Sequence, residues 1–182
     1  MLSGYQDASM PVGQGGGRLL IGPLYQNKTG SRYNGIASAG SFDLTGAYAA
    51  VQAVQVPSSA TQANAMLTVL KDSSNHYRVY TEGGQLGFEV KVAGRKTLLG
   101  TIAYDPAAHA FWRIQHDPSS DQVLFQTAPD SGGVPGTWIT RATTGRSVPL
   151  TAVRFELKAG TWKAEASPPG TAAFDHFRAA RP

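Results

Sequence analysis

Carboxylates are the side chains best suited to acid–base chemistry, and their spacing in this sequence does not suit a catalytic pair. In retaining glycosidases built on β-sandwiches, the two carboxylates lie two or four residues apart on one strand, because residues at that spacing share a face. The acidic residues beside predicted strands are Glu82, Glu89, Glu156, Glu165 and Asp175. None of them has an acidic neighbour two or four residues away, so the sequence predicts no glycosidase of this type.

Histidine, cysteine and serine also lack the patterns that metal binding or nucleophilic catalysis would need. The four histidines, His76, His109, His116 and His176, show neither helical i, i+4 spacing nor a His-x-His strand pair, so we expect no zinc site. The sequence contains no cysteine, which removes both disulfides and thiolate chemistry. A Gly-x-Ser-x-Gly nucleophile motif is also absent. The prediction is a protein that is not an enzyme.

Two glycine-containing segments have structural interpretations. The segment Gly13–Gly17 has no Lys-Ser/Thr after it and opens no helix, so we predict a flexible entry into the first strand rather than a phosphate loop. The segment Pro129–Gly132, followed by Trp138, resembles a loosened Asp-box. In that interpretation Asp130 accepts backbone N–H groups within a turn and Trp138 packs beneath it.

The composition indicates one exported domain. A chain of 182 residues with 41% hydrophobic residues is long enough for one two-layer core, while charged residues make up only 15%. The net charge of +4 is spread over scattered positions, which does not favour nucleic-acid binding. No apolar run approaches the length of a membrane span, so no membrane insertion is expected. We predict a domain from a longer exported protein, with the other domains of that parent protein as possible partners.

The elements that position these residues are predicted to be β-strands. Turn signals recur about every ten residues, and hydrophobic alternation has period two. The segment Phe111–His116 is the clearest strand, with Trp112 and Ile114 facing the core. The segment Ala63–Leu70 is compatible with a short helix, but we predict a strand. The sequence thus predicts one all-β domain over 1–182, an irregular segment over 1–16, and twelve to fourteen strands in a two-sheet antiparallel sandwich.

Several motifs, taken in order, resemble one superfamily. They are Phe111–Asp117, Thr127–Asp130, Ala159–Thr161 and Pro169–Phe177. Together they resemble bacterial domains of the concanavalin A-like lectin/glucanase superfamily, which are often part of secreted or cell-surface proteins. The likeness extends from about residue 15 to residue 179, with Gln115 in place of the usual Arg. The resemblance implies a jelly-roll sandwich, and this fold hosts lectins, glucanases, lyases and spacers.

In this architecture one sheet has a concave outer face, and alternation along three strands predicts its side chains. The predicted ligand-binding residues are Arg78, Tyr80, Glu82, Glu89, Lys91, Arg113 and Gln115. Such a face suits a non-catalytic, lectin-like module for a polysaccharide or other glycan. Three alternatives stay open: a solvated sheet face with cross-strand ion pairs, a structural or adhesive module that contacts other proteins, and a hydrolase or lyase.

The resemblance also implies a structural calcium ion between the first segment and the last strand. Asp175 in Phe174–Phe177 is the predicted ligand, and Asp7 is a second carboxylate in the N-terminal segment. A carboxylate beside apolar rings in a closing strand needs a partner, because burying it unpaired is costly. Besides a cation, backbone N–H groups or an arginine such as Arg18 or Arg178 would serve.

Overall fold

The protein is built from β-strands. The computed structural model describes Asp7 and residues 9–182, and this part of the chain contains thirteen strands and no α-helix. It therefore holds no helix able to cross a membrane. The strands are β1 Val12–Gly15, β2 Arg18–Ile21, β3 Arg32–Ala37, β4 Tyr48–Gln55, β5 Asn64–Asp72, β6 Asn75–Glu82, β7 Gln85–Val92, β8 Arg95–Ala103, β9 Phe111–Asp117, β10 Gln122–Ala128, β11 Ile139–Gly145, β12 Arg154–Thr161 and β13 Ala172–Ala180.

The strands form two antiparallel sheets packed face to face. The seven-stranded sheet has the order β1-β2-β13-β4-β9-β10-β11, and the six-stranded sheet has the order β3-β12-β5-β6-β7-β8. Most neighbours in the six-stranded sheet are joined by short turns, whereas β12 pairs with β3 and β5 across long stretches of sequence. This arrangement confirms the predicted two-sheet jelly-roll sandwich.

Alternation along each strand sends one set of side chains into the core between the sheets. On β9, Trp112 and Ile114 are fully buried, while Arg113 points to the outer face. The Trp112 ring packs edge-on against Phe174, and its Nε1 donates a hydrogen bond to the His109 carbonyl at 3.0 Å. The predicted core position of Trp112 is confirmed.

The first strands correct one sequence prediction and confirm another. Within the segment 1–16, predicted to be irregular, Val12–Gly15 forms β1 and pairs with β2. The glycines did not prevent pairing, because backbone N–H and C=O groups alone make the ladder, and Gly16 and Gly17 supply the positive φ angles of the hairpin turn. Residues 1–6 and 8 of that segment lie outside the described part. The strand predicted over Ala63–Leu70 is confirmed as β5.

The loop between β10 and β11 is the turn that the sequence predicted. The Asp130 Oδ1 atom accepts a hydrogen bond from the Gly133 amide at 2.7 Å, and the Pro129 carbonyl accepts one from Gly136 at 2.9 Å. Trp138 packs against a small cluster on the outer side of the seven-stranded sheet that includes Phe111 and Ala128.

Candidate functional site

The outer face of the six-stranded sheet is concave. It encloses a groove of about 1110 Å³, which we call the six-strand groove. Five of the seven predicted site residues line it: Arg78, Tyr80 and Glu82 on β6, and Glu89 and Lys91 on β7. The intervening residues on β6 and β7 are core residues, as alternation predicted.

The other two predicted site residues lie elsewhere. Arg113 and Gln115 belong to β9, in the middle of the seven-stranded sheet, and their side chains are on its outer face. The outer faces of two packed sheets point in opposite directions, so these residues cannot line the six-strand groove. Alternation correctly separated the outward side chains of β9 from its core side chains, but it carries no information on which sheet a strand joins.

Tyr80 forms a flat apolar surface in the groove. Its cross-strand partner on β7 is Gly87, and a Cβ atom placed on Gly87 would lie only 2.6 Å from Tyr80 Cζ. The absence of a side chain at Gly87 therefore lets the ring lie down across β7. On the other side Tyr80 pairs with Met66 on β5, which also lines the groove.

Trp162 is a groove residue that the sequence prediction missed. It follows β12 directly, and 49% of its surface is exposed. Its Nε1 donates a hydrogen bond to Glu82 Oε1 at 2.8 Å, which fixes the ring at the groove wall. Trp162 lies just beyond a strand end, where period-two alternation no longer applies. The one sequence feature that could have indicated an exposed Trp162 was its position between the polar residues Thr161 and Lys163.

Glu89 is the centre of the charged network in the groove. Its Oε1 lies 3.1 Å from His76 Nε2 and 3.5 Å from Arg78 Nη1, and its Oε2 lies 3.8 Å from Lys96 Nζ. Burial opposes ionisation of this carboxyl group, but the hydrogen bond to His76 and the charges of Arg78 and Lys96 outweigh it and lower the pKa of Glu89. Glu89 is therefore a carboxylate that only accepts hydrogen bonds.

The ionised Glu89 also determines the state of His76, which the prediction did not include. Because a carboxylate can only accept, His76 Nε2 must carry the shared proton. Burial lowers the pKa of His76, so the neutral ring is favoured and its Nδ1 is an acceptor. This Nδ1 is buried and has no hydrogen-bond partner in the described part of the chain.

Strand β12 contributes a second polar group that alternation on β6 and β7 could not reveal. Glu156 Oε1 and Lys158 Nζ lie 4.0 Å apart on the groove face, and burial lowers the pKa of Lys158. At the neighbouring end, the Tyr33 hydroxyl donates a hydrogen bond to Asn64 Oδ1 at 2.5 Å. The groove thus combines an exposed ring and a flat ring with fixed donors and acceptors, an arrangement that suits a polar ligand with apolar faces.

The two predicted calcium ligands have different neighbours. Asp175 Oδ2 lies 3.8 Å from Arg18 Nε, and its Oδ1 accepts a hydrogen bond from the His176 amide at 2.7 Å. Asp7 Oδ2 lies 3.5 Å from Arg32 Nη1. Within Asp7 and residues 9–182, no three His, Asp or Glu side chains are grouped as a metal site. Arg18 is one of the alternative partners that were predicted for Asp175 from the sequence. Binding of a calcium ion at Asp175 stays a prediction.

Comparison by sequence finds no relatives. No family model matches the chain, and no curated protein matches it.

Comparison by structure finds the same fold in other proteins. The CBM2 module of the evolved Dit of Lactobacillus casei BL23 phage J-1 superposes with a TM-score of 0.57 at 13% identity, over 97% of this chain and 80% of that one. The legume lectin-like domain from Entamoeba histolytica gives 0.60 at 6% identity, over 93% and 86%. A bifunctional GH43-CE protein of Bacteroides eggerthii gives 0.62 at 14% identity, over 92% of this chain but 21% of that one. These likenesses show that the chain shares the two-sheet β-sandwich fold of these proteins.

Proposed function

We propose that this domain binds a carbohydrate in the six-strand groove and does not chemically change it. The observation that carries the proposal is the pair of aromatic rings there. Tyr80 lies flat over Gly87, and Trp162 is held at the wall by its hydrogen bond to Glu82. Solved structures with this fold include a carbohydrate-binding module and a lectin-like domain, which supports the same function.

The groove meets the two requirements of sugar recognition. A sugar ring has apolar C–H faces that pack on aromatic rings, and hydroxyl groups that need fixed donors and acceptors. Tyr80 and Met66 supply an apolar floor, while Arg78, Glu82 and Lys158 supply charged hydrogen-bonding groups around it. A volume of about 1110 Å³ is slightly larger than ordinary small-molecule sites, so we expect a short oligosaccharide rather than a single sugar.

The groove carboxylates are arranged for binding rather than for hydrolysis. A glycosidase needs one carboxyl group that stays protonated near neutral pH to donate its proton to the leaving oxygen. The environment of Glu89 acts in the opposite direction and lowers its pKa. Glu156 is next to Lys158, and Glu82 already accepts the Trp162 hydrogen bond. We therefore propose a non-catalytic module.

We also propose that the domain works outside the cell as one part of a longer exported protein. Its low share of charged residues is typical of such domains. The bifunctional protein from Bacteroides eggerthii, of which this fold matches only 21%, is an example in which such a sandwich is part of a much longer chain.

A glycan array tests the proposal. The wild-type domain should bind a defined set of oligosaccharides, and a Tyr80→Ala/Trp162→Ala double variant with unchanged melting should lose them. If the folded wild-type domain binds nothing on a broad array, the carbohydrate proposal is wrong. That outcome would favour the structural or adhesive alternative.

A further inference from the structure

Arg113 occupies an unusual position on the outer face of the seven-stranded sheet. Its Cζ lies 4.2 Å from the centre of the Trp138 ring and 5.4 Å from the centre of the Tyr48 ring. At these distances the planar guanidinium is attracted to both rings, most strongly to Trp138. The two rings hold the group in one place on the sheet.

A chain of hydrogen bonds fixes the orientation of the guanidinium. Arg113 Nε donates to Gln126 Oε1 at 2.7 Å, and Gln126 Nε2 donates to Thr140 Oγ1 at 3.1 Å. Gln126 is almost completely buried, so its amide cannot swing away. With Nε engaged, the two terminal nitrogens, Nη1 and Nη2, remain as a pair of donors.

No protein group in the described part of the chain uses this pair. No carboxylate there lies within 4.0 Å of Arg113 nitrogens. Nη1 and Nη2 have no hydrogen-bond acceptor among those residues, and neither atom is fully buried. The neighbouring strands β4 and β10 contain no Asp or Glu. Asp130, in the loop after β10, accepts a hydrogen bond from Gln52, and Asp175, on β13, lies 3.8 Å from Arg18.

The surroundings of Arg113 partly exclude water. Burial lowers the pKa of Arg113 to about 10, which still leaves the side chain positively charged at neutral pH. A half-buried cation without a counter-ion favours an anion more strongly than a fully solvated arginine does.

We propose that Arg113 is the centre of a second binding site, which takes the carboxylate of a uronic acid in an acidic saccharide. Two parallel donors on a rigid plane match the two oxygens of a carboxylate. The groups in contact with Arg113, namely Tyr48, Gln126 and Trp138, are uncharged. One cation with uncharged neighbours suits a monoanion better than phosphate, and these rings and the Gln115 amide suit a sugar.

This site is separate from the six-strand groove, because the two lie on opposite faces of the sandwich. It extends the proposed function and does not rest on it: the Arg113 site would bind uronates even if the groove bound nothing. Two single substitutions, one on each face, keep the two proposals distinguishable.

The test compares tetragalacturonate with its methyl ester, which keeps the sugar chain but removes the negative charges. Binding is followed by NMR titration of the indole N–H signals, with the Trp138 signal as the local reporter. We expect saturable binding of the acid, at least tenfold weaker binding of the ester, and weakening by added NaCl. Inorganic phosphate and a tetraglutamate peptide serve as competing anions.

The variants give the decisive comparison. Arg113→Lys keeps the charge but lacks the planar donor pair, so we expect about tenfold weaker binding, and Arg113→Gln should remove it. Trp162→Ala, on the groove side, should leave the Arg113 site unchanged. Equal binding of acid by wild type and Arg113→Gln would overturn the proposal. So would stronger binding of phosphate or of the glutamate peptide than of tetragalacturonate. Loss of binding in Trp162→Ala alone would assign the uronate to the groove instead.

Discussion

Single residues decide the shape of the groove, and Gly87 is the clearest case. Tyr80 occupies the space where a side chain at Gly87 would begin. In Gly87→Ala the tyrosine ring must rise from the sheet, and because it is a side chain with rotatable bonds, the cost in stability should be modest, about 1 kcal/mol or less. Affinity for the groove ligand should fall severalfold.

Gly100→Ala on β8 is the matched control for this substitution. It lies in the same sheet, and a Cβ there meets no atom within 4 Å. Isothermal titration of both variants checks the prediction. Equal affinities of Gly87→Ala and Gly100→Ala would show that the flat position of Tyr80 does not contribute to binding.

Trp112 is the residue on which the core most depends. It is fully buried, and its ring contacts Tyr104 and Phe174. Trp112→Ala should lower the free energy of unfolding by roughly 3–5 kcal/mol, as for other large buried aromatic side chains. Urea denaturation measures this, with the half-exposed Trp162→Ala as control. A Trp112→Ala loss no larger than that of Trp162→Ala would contradict the core assignment.

His76 and Glu89 both make the folded state less stable as the pH falls. The pKa values of both groups are lowered in the folded state, so the unfolded chain binds more protons and acid favours unfolding. The His76 contribution is complete above its unfolded pKa of about 6.5 and is lost as pH falls below it. The Glu89 contribution is lost only at lower pH, below about 4.5.

The His76→Gln variant isolates the first of these effects. Urea unfolding at pH 7.5 and at pH 5.5 should show a decrease in stability that is smaller in His76→Gln than in the wild type. The comparison uses only the difference between the two pH values, so a general destabilisation by the substitution cancels. If His76→Gln loses as much stability between pH 7.5 and pH 5.5 as the wild type, then His76 is not the group that titrates in this range.

At the scale of strands, hydrophobic alternation predicted which side chains point outward, but not which strands become neighbours. On β6 and β7 the predicted outward residues line the groove. The same reasoning gave the correct outward face for Arg113, yet β9 pairs with β4 and β10 in the other sheet. Sheet membership depends on hydrogen bonding between distant segments, which a single sequence does not encode locally.

Long-range pairing also explains the groove residues that were missed. Strand β12 lies beside β5 although about 90 residues separate the paired positions Lys158 and Met66. Only this pairing brings Lys158 and the following Trp162 to the groove. The Asp130 turn, in contrast, was predictable because the hydrogen bonds that close it, from Gly133 to Asp130 and from Gly136 to Pro129, join residues close in sequence.

Thermal melting distinguishes a calcium ion from an ion pair as the partner of Asp175 on β13. Its ladder with β4 is interrupted between Asp175 and Arg178, and His176 has a positive φ of 49°. A bound calcium ion would raise the melting midpoint by several degrees in millimolar Ca²⁺ relative to EDTA, because it binds only the folded state. The increase should disappear in Asp175→Ala. An equal midpoint in EDTA and Ca²⁺ would leave the contact with Arg18 as the partner of Asp175.

For the whole molecule, the three tryptophans divide the sandwich into three environments. Trp112 is in the core, Trp162 is in the six-strand groove, and Trp138 is on the opposite face beside Arg113. A ligand of the groove and a ligand of the Arg113 site should therefore perturb different indole signals. The composition predicted one exported domain, and turn spacing with alternation predicted a sandwich. Only the folded chain shows that the polar side chains of β6 and β9 lie on opposite outer faces.

The most direct test of carbohydrate binding in the six-strand groove is the affinity of the groove for its sugar with and without the Trp162 side chain. The oligosaccharide bound best on the array is titrated calorimetrically against the wild type, Trp162→Ala and Phe177→Ala. Phe177 is a matched control, since it is an aromatic residue of similar exposure, 43%, on a strand of the other sheet. We expect at least tenfold weaker binding by Trp162→Ala and unchanged binding by Phe177→Ala, with both variants folded. Wild-type affinity in Trp162→Ala would contradict this prediction.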